Sequence, residues 1–309
     1  VKQVAAALLL LSGAAGAEEI RIEVARGLAA ERLDGRELPG RVEFFREKDG
    51  FVAVNVVDLE DYVAAVVASE VPASWPKEML RAQAVAARTF AVAQKVAQGA
   101  GARAHLGASV IDQVYRNAAH PPASALQAAR ATAGEVLTWG AAPIAAYFSA
   151  SCGGVSESAE VAFHLAPGTT PYIRASEADG DARAWTVRIP LAEIAAALRK
   201  ARRMEAELDG IAVQSRTASG RAQMLAMQTR KGPRPMAAVE LRQVLGYSRL
   251  PSLLFEVAVE RGVAVFRGTG SGHGVGLCQW GARKRAEEGA TYREILAHYY
   301  PGAEIRRMY

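Results

Sequence analysis

Two prolines, Pro72 and Pro76, divide the chain between two runs of helical periodicity. Before them, Leu59, Tyr62, Val63, Val66 and Val67 recur at the spacing of one buried stripe, and Asp58, with Asp61 three residues on, supplies an N-terminal cap. Proline cannot continue a helix and pushes the residue before it towards extended backbone, so the first helix is expected to stop near Ser69. Pro76 suits the first turn of a second helix running through Glu78, Leu80, Gln83, Arg88 and Phe90 to about Gln98, where Gly99 and Gly101 end it. Ala82, Ala84, Ala86 and Ala87 are small enough for close packing of that second helix. Gln83 and Arg88 do not belong on such a surface unless each has a partner.

The break leaves Glu70 at the C-terminal end of the first helix, among Val66, Val67 and Val71. Apolar surroundings and the negative end of the helix dipole both disfavour a carboxylate charge. The expectation is a raised pKa and an acid that works near neutral pH. The plain alternative is a surface glutamate at a helix end.

The N-terminal residues carry an address. Lys2 gives a positive start, Val4 to Leu11 is a short apolar run, and Ala15-Gly16-Ala17 is a small-x-small cleavage pattern before Glu18-Glu19. Residues 1–17 therefore read as a secretory signal peptide, too short in its apolar part to span a bilayer. No later stretch reaches transmembrane length, so a soluble protein outside the cytoplasm, without a transmembrane anchor, is expected. The 309 residues are 50% hydrophobic and 22% charged, an ordinary globular balance for one large or two smaller domains. A net charge of +5 suits nucleic acid, anionic lipid or an acidic polymer and selects none of them. Export makes a disulfide between the two cysteines, Cys152 and Cys278, one option; two free thiols, a reactive nucleophile or a shared metal are the others.

Strands are expected over Ile20–Val24, Arg41–Phe45 and Phe51–Val57, the last two joined at Lys48-Asp49-Gly50. Ala125–Ala131 reads as a short helix, and Val136–Trp139 with Ile144–Phe148 as a hairpin. Signals weaken over about Val155–Leu250. There Leu191–Leu208 reads as an amphipathic helix with a basic face, and Ile211–Thr217 with Gln223–Gln228 as a hairpin. Phe255–Val259 and Val263–Phe266 form another, about Arg261-Gly262. The irregular alternation lacks a βαβ rhythm. It favours an α+β fold: a mixed core with antiparallel strands and a second, inserted, mainly β subdomain.

Two glycine-containing runs stand out. Ser149-Ala150-Ser151-Cys152-Gly153-Gly154 is a polar loop. Gly268 to Ala282 alternates glycine with His273, Gln279 and Trp280. Alternating glycines allow close approach of the backbone to a ligand. No βαβ unit follows, so a dinucleotide loop is rejected. The polar and aromatic residues suggest a saccharide or polar substrate. Cys152 with His273 as base is one alternative. Ser149 or Ser151 lacks a GxSxG setting, and His105 with Asp112 is a weak metal pair.

Several runs together resemble the stage II sporulation protein D / LytB family of peptidoglycan-acting proteins. They are Asn55 to Tyr62, Glu70-Val71-Pro72, Ala82 to Phe90, Gln113-Val114-Tyr115, Tyr147 to Gly154, Glu240-Leu241-Arg242, Gly272 to Ala282 and Tyr292 to Gly302. The resemblance spans nearly all of the chain after residue 17 and is weakest over Val155–Pro235. It implies residues 18–154 and 251–309 as two parts of a catalytic domain around a variable insert, 155–250. The implied activity is that of an exported lytic transglycosylase, periplasmic or wall-associated, cleaving denuded glycan strands. The family's acid falls on Glu70. Most glycosidases need two carboxylates, but here the sugar's own C6 hydroxyl would attack C1, so one suffices. The substrate candidates are Gln83, Arg88, Tyr147, Ser149, His273, Gln279 and Trp280. The implied partners are glycan strands and a cell-wall amidase, not nucleic acid, and no cofactor is implied. Some members hold zinc through cysteines before the Gln-Val-Tyr motif. Gly107 and Asp112 stand at the corresponding places here, so no metal is expected. Cys152 and Cys278 are then expected to form a disulfide bracing two loops. The alternative function is a non-catalytic amidase enhancer, which has no chemical need for Glu70.

Overall fold

The computed structural model describes residues 18–33, 35, 37–99, 101–107, 115, 119–173 and 182–309. The leader at 1–17 and the motif residues Asp112, Gln113 and Val114 lie outside them. The chain forms two compact units, one of residues 1–147 with 282–309 and one of residues 148–281.

The first unit opens with strands β1 (Glu19–Leu28), β2 (Arg41–Glu47) and β3 (Gly50–Asp58). β3 lies between the other two, antiparallel to both, and the short β4 (Leu106–Gly107) runs parallel to β1. From Val52 to Val57 every residue of β3 is buried, so the strand is covered on both faces. Asn55 is the polar exception. Its amide donates to the carbonyls of Pro39 and Arg41, and its oxygen accepts the Tyr115 hydroxyl at 2.8 Å. A buried amide so satisfied costs little and locks the register.

β3 passes without a linker into α1 (Leu59–Glu70). Asp58 pairs with Glu19 in the sheet and also caps the helix, accepting the N–H groups of Glu60 and Asp61. After the proline break, α2 runs over Lys77–Gln98. Every residue from Ala82 to Val92 is buried, which marks a helix covered on all sides. α1, α2 and α3 (Ala123–Ala131) pack on one another. β5 (Glu135–Trp139) then pairs with β6 (Ala142–Pro143). The hairpin expected over 136–148 is thus shorter, because Phe148 and Ser149 form β7 and pair elsewhere.

The second unit begins at β7. It continues through α4 (Ala159–Phe163), β8 (Ala184–Pro190), α5 (Leu191–Lys200), β9 (Gly210–Arg216), β10 (Ala222–Thr229), β11 (Gly232–Ala237), α6 (Ala238–Leu245), β12 (Phe255–Glu260), β13 (Val263–Thr269) and β14 (Leu277–Cys278). Two antiparallel three-stranded sheets result, β11-β10-β9 and β12-β13-β8, with β14 and β7 as a parallel pair. Ile194, Leu198, Leu225, Leu241, Phe255 and Phe266 belong to their common core. α5 ends at Lys200, eight residues before the expected Leu208. Its buried positions stop at Leu198, and Arg202 turns left-handed at φ 53°. The glycine-rich run falls in this compact unit up to Gly281; it continues β13, and its backbone bonds to Ser151 and Arg183. The α+β class stands.

The chain returns to the first unit through α7 (Gln279–Glu287) and α8 (Tyr292–Tyr299), the latter opened by a Thr291/Glu294 capping box. β15 (Glu304–Arg307) then adds to β5.

Arg88 is the central polar group of the first unit. It is wholly buried, and its guanidinium forks onto Glu60, with Nε to Oε1 at 2.8 Å and Nη2 to Oε2 at 2.5 Å. Its other donors reach Ala129 O, Thr132 Oγ1 and Glu135 O. Burial raises the Glu60 carboxyl, but the Arg88 hydrogen bond and charge, with Tyr309 and the Gly134 N–H, bring it below its ordinary value. Glu60→Ala, which strands the buried cation, should lower the unfolding free energy by about 3–5 kcal/mol in urea titrations. The pair's contribution should be complete above about pH 5 and fade as pH falls through the lowered carboxyl pKa. The acid-side slope of stability should therefore shrink in the variant.

Candidate functional site

Glu70 is the last residue of α1. Tyr62 to Val67 are buried, whereas Ala68, Ser69 and Glu70 emerge part-exposed, as the stripe rolls out of the core before the break. Val71 is extended at φ −137° and closes the helix by donating its N–H to Val67 O at 3.1 Å. A turn follows, with Trp75 N–H to Pro72 O at 3.0 Å, and the Ser124 hydroxyl donates to Ala73 O. The buried Trp75 ring lies 5.4 Å from the Arg283 guanidinium carbon. No basic residue stands in the last turn of α1, so the helix end meets Glu70 without a cation from its own helix.

The other first-unit candidates differ from one another. Gln83 is wholly buried in α2. Tyr147 is half-buried, its ring edge-on to Phe90 at 5.9 Å and its carbonyl accepting the Tyr300 hydroxyl. Arg88 was expected to meet substrate, and the structure corrects this. All five of its N–H donors are spent on Glu60, Thr132 and two backbone carbonyls, with no exposed surface left. The partner demanded by an arginine in an alanine-rich helix is internal.

Ser149, His273, Gln279 and Trp280 lie in the second unit, around the glycine-rich run. Ser271 exchanges both backbone hydrogen bonds with Ser151; Gly274 donates to Ser149 Oγ at 3.2 Å and accepts from Glu157 N at 2.8 Å. The glycines therefore admit the protein's own chain. At Gly272 (φ 103°) a Cβ would lie 2.7 Å from that of Ser149, and at Gly274 (φ 77°) it would collide with Arg221. Sequence reasoning overlooked Arg221. It is buried, with Nη2 donating to the carbonyls of Cys152 and Val155 and Nη1 to Ser219 Oγ, which donates to buried Glu157 at 2.7 Å. Gly274, which cannot carry a side chain there, was the one signal of such a neighbour.

His273 is not set up as a base. Its Nδ1 accepts the Val275 N–H at 3.0 Å, it hydrogen-bonds the Phe148 backbone, and Phe163 meets the ring at 5.1 Å. Burial, followed by the charges of Arg242 and Arg221, pushes its pKa down to about 4. Gln279 is buried at the start of α7. Trp280 is half-buried, and the Arg183 guanidinium lies 3.9 Å from its ring centroid, so one face already carries a cation.

Cys152 and Cys278 come together, but as free thiols, so the expected bond is not formed here. The Cys152 N–H points to Cys278 Sγ at 3.3 Å. The Cys278 hydrogen bond, aided by the Gly154 N–H and the Arg221 charge, brings the Cys152 thiol down to about 7 against the effect of burial. The same hydrogen bond and burial push Cys278 far up. His105, from the weak metal pair, is buried and accepts the Arg21 N–H on Nδ1. Among the described residues no three His, Cys, Asp or Glu side chains converge on a point, and no helix is long and apolar enough to cross a membrane.

Residues 47–139 match the stage II sporulation protein family, and residues 174–276 match a domain of unknown function. Stage II sporulation protein D of Bacillus subtilis is 32% identical over 269 residues, covering 82% of this chain and 76% of that protein. The chain belongs to the stage II sporulation protein D family. An uncharacterised protein of Brachyspira hyodysenteriae is also 32% identical, over 88% of this chain and 73% of its own. The amidase enhancer of B. subtilis is 26% identical, over 88% of this chain and 44% of its own length. The family match at 47–139 falls in the first unit and takes in Glu70, Gln83 and Arg88; the match at 174–276 falls in the second and takes in Arg221 and His273.

His273 should stay neutral well below the usual histidine range. Its ring proton shifts, followed by NMR, should be flat from about pH 8 to about pH 5. A midpoint near 6.5 would contradict the burial described. Because the folded value is lowered, the unfolded chain binds more protons between about pH 6.5 and about pH 4, and stability should decline as pH falls through that window.

Proposed function

We propose that this stage II sporulation protein D family member is an exported lytic transglycosylase acting on the glycan strands of peptidoglycan. The observation that carries the reading is the position of Glu70: a part-exposed carboxyl at the end of a helix whose preceding turns are buried. The carboxyl donates its proton to the glycosidic oxygen as the C1–O bond breaks. The resulting carboxylate then takes the proton of the sugar's C6 hydroxyl as that oxygen bonds to C1. The products are a strand with a 1,6-anhydro-muramyl end and a new hydroxyl terminus. One group serves as acid and then base, so no second carboxylate is required. Denuded strands, whose lactyl groups are free carboxylates, suit a chain of net charge +5. Within the first unit, half-buried Tyr147 is the candidate to line a sugar; within the second, taken by itself, half-buried Trp280 has a ring face away from Arg183 that could stack on one. Gln83 in the first unit, and Ser149, Gln279 and His273 in the second, lie deeper or are tied to backbone and would support the residues of their own unit.

A second reading rests on the relative named amidase enhancer: this chain would bind the wall and stimulate a separate amidase without cutting glycan itself. Incubating denuded strands with wild type and with Glu70→Gln separates the two. The enzyme reading expects anhydro-muramyl ends from wild type and a loss of about 10²–10⁴-fold in the variant. It fails if wild type makes none, or if the variant keeps pace while binding strands equally well.

A further inference from the structure

The excess positive charge of the chain is not spread evenly. Residues 199–207 and 229–240, in the second unit, hold seven basic side chains and three acidic ones, a net of +4 against +5 for all 309 residues. Between the two segments lies a cleft of about 610 Å³. Its apolar lining is Met204, Met236 and Pro235, and both methionines also pack on the unit's core. Thr229 Oγ1 donates to Gly232 O at 2.8 Å and accepts the Lys231 N–H at 3.2 Å, which fixes the β10–β11 turn at its side. Two cations of the lining already have carboxylates, Arg203 with Glu240 at 3.3 Å and Arg230 with Glu207 at 3.4 Å. The other two, Lys231 and Arg234, are exposed and have no ion pair among the described residues. Three features narrow the occupant. β11 is an edge strand, and prolines at 233 and 235 leave Arg234 the sole N–H in that stretch, so a peptide cannot add there as a strand. None of the large apolar side chains exposed among the described residues lines the cleft, so nothing there enters a bilayer. A small inorganic anion would leave most of the volume and its apolar floor unused. What fits is a bulky group with an apolar face that carries an anion, such as a sugar ring with a carboxylate.

We propose that this cleft holds a sugar of the denuded glycan strand, its free lactyl carboxylate on Lys231 and Arg234 and its ring on Met204, Met236 and Pro235. The subsite presupposes the glycan reading above; it binds strand and takes no part in bond cleavage. It also gives that reading a source of selectivity. A lactyl group that still carries its stem peptide is a neutral amide, whereas the stripped group is a carboxylate. Lys231 and Arg234 therefore favour stripped strands over peptide-bearing ones.

The test measures binding of fluorescently labelled denuded strands to the full chain, with Glu70→Gln in every arm so that strands stay whole. Lys231→Gln with Arg234→Gln should weaken binding by at least about fivefold and flatten its salt dependence. Arg199→Gln with Lys200→Gln removes the same charge from the exposed last turn of α5, outside the cleft, and should change affinity by less than about twofold. Strands whose lactyl carboxylates have been amidated should bind more weakly, and alike to the parent and the cleft variant. The subsite is overturned if the cleft variant keeps the parent's affinity, if the helix variant loses as much, or if the parent holds amidated strands as tightly as free ones. Binding of phosphatidylglycerol vesicles in place of strands, through the same two residues, also overturns it. Cleavage is scored apart, on chains with Glu70 intact. If wild type makes no anhydro-muramyl ends while the cleft variant loses strand binding, the enzyme reading fails and the subsite stands. Anhydro-muramyl ends from wild type, with binding unchanged in the cleft variant, remove the subsite alone.

Discussion

The first unit depends on how one buried cation is satisfied. Arg88 stands in the stretch of α2 from Ala82 to Val92 that has no wet face, so water cannot solvate it, and an unpaired guanidinium there would outweigh much of a domain's stability. Three pieces of the chain supply what water does not: the first turn of α1 through Glu60, the C-terminal end of α3 through Ala129 O and Thr132, and the start of β5 through the Glu135 carbonyl. The α3 end is where carbonyls lack helical partners and the dipole is negative, so the arginine closes that helix as well as anchoring its own. Glu60 in turn takes the Gly134 N–H and the Tyr309 hydroxyl. An apolar replacement of the whole set would pack as well or better in many proteins. What the ion pair contributes is position, because its fork accepts only one arrangement of the three helices.

The second unit uses a buried arginine differently. Arg221 binds loops, not helices, and the glycine-rich run is shaped around it. Its charge is balanced by Glu157 through Ser219, while its own carbonyl contacts hold Cys152 and Val155. The polar residues that make this run look like a binding loop therefore divide in two. His273 and Ser149 hold the loop's own backbone, and Trp280 retains part-exposed surface.

Much of this was legible in the sequence where the signal is local. The α1–α2 break follows from Pro72 and Pro76, the Asp58 cap from its position before an apolar stripe, and the β9–β10 and β12–β13 hairpins from their turns. Non-local outcomes were not legible. β8 was missed because its partner β13 lies far along the chain. β11 was missed because Pro233 and Pro235 argue against a strand, although an edge strand tolerates them. The same limit applied at the site. Arg88 in an alanine-rich helix does need a partner, but a sequence cannot say whether that partner is a ligand or Glu60. Likewise, glycines that admit a neighbouring backbone look the same as glycines that admit a sugar.

The direct passage from β3 into α1 makes the helix a ruler. Its zero mark is the Asp58–Glu19 rung of the sheet, and its twelve residues carry Glu70 about 18 Å along the axis. With no slack between strand and helix, one residue gained or lost inside α1 would swing the carboxyl by about 100° around that axis. Side chains along α1 can drift so long as the buried stripe survives. The count between Asp58 and Glu70 cannot, and in this chain spacing is a stricter inheritance than composition.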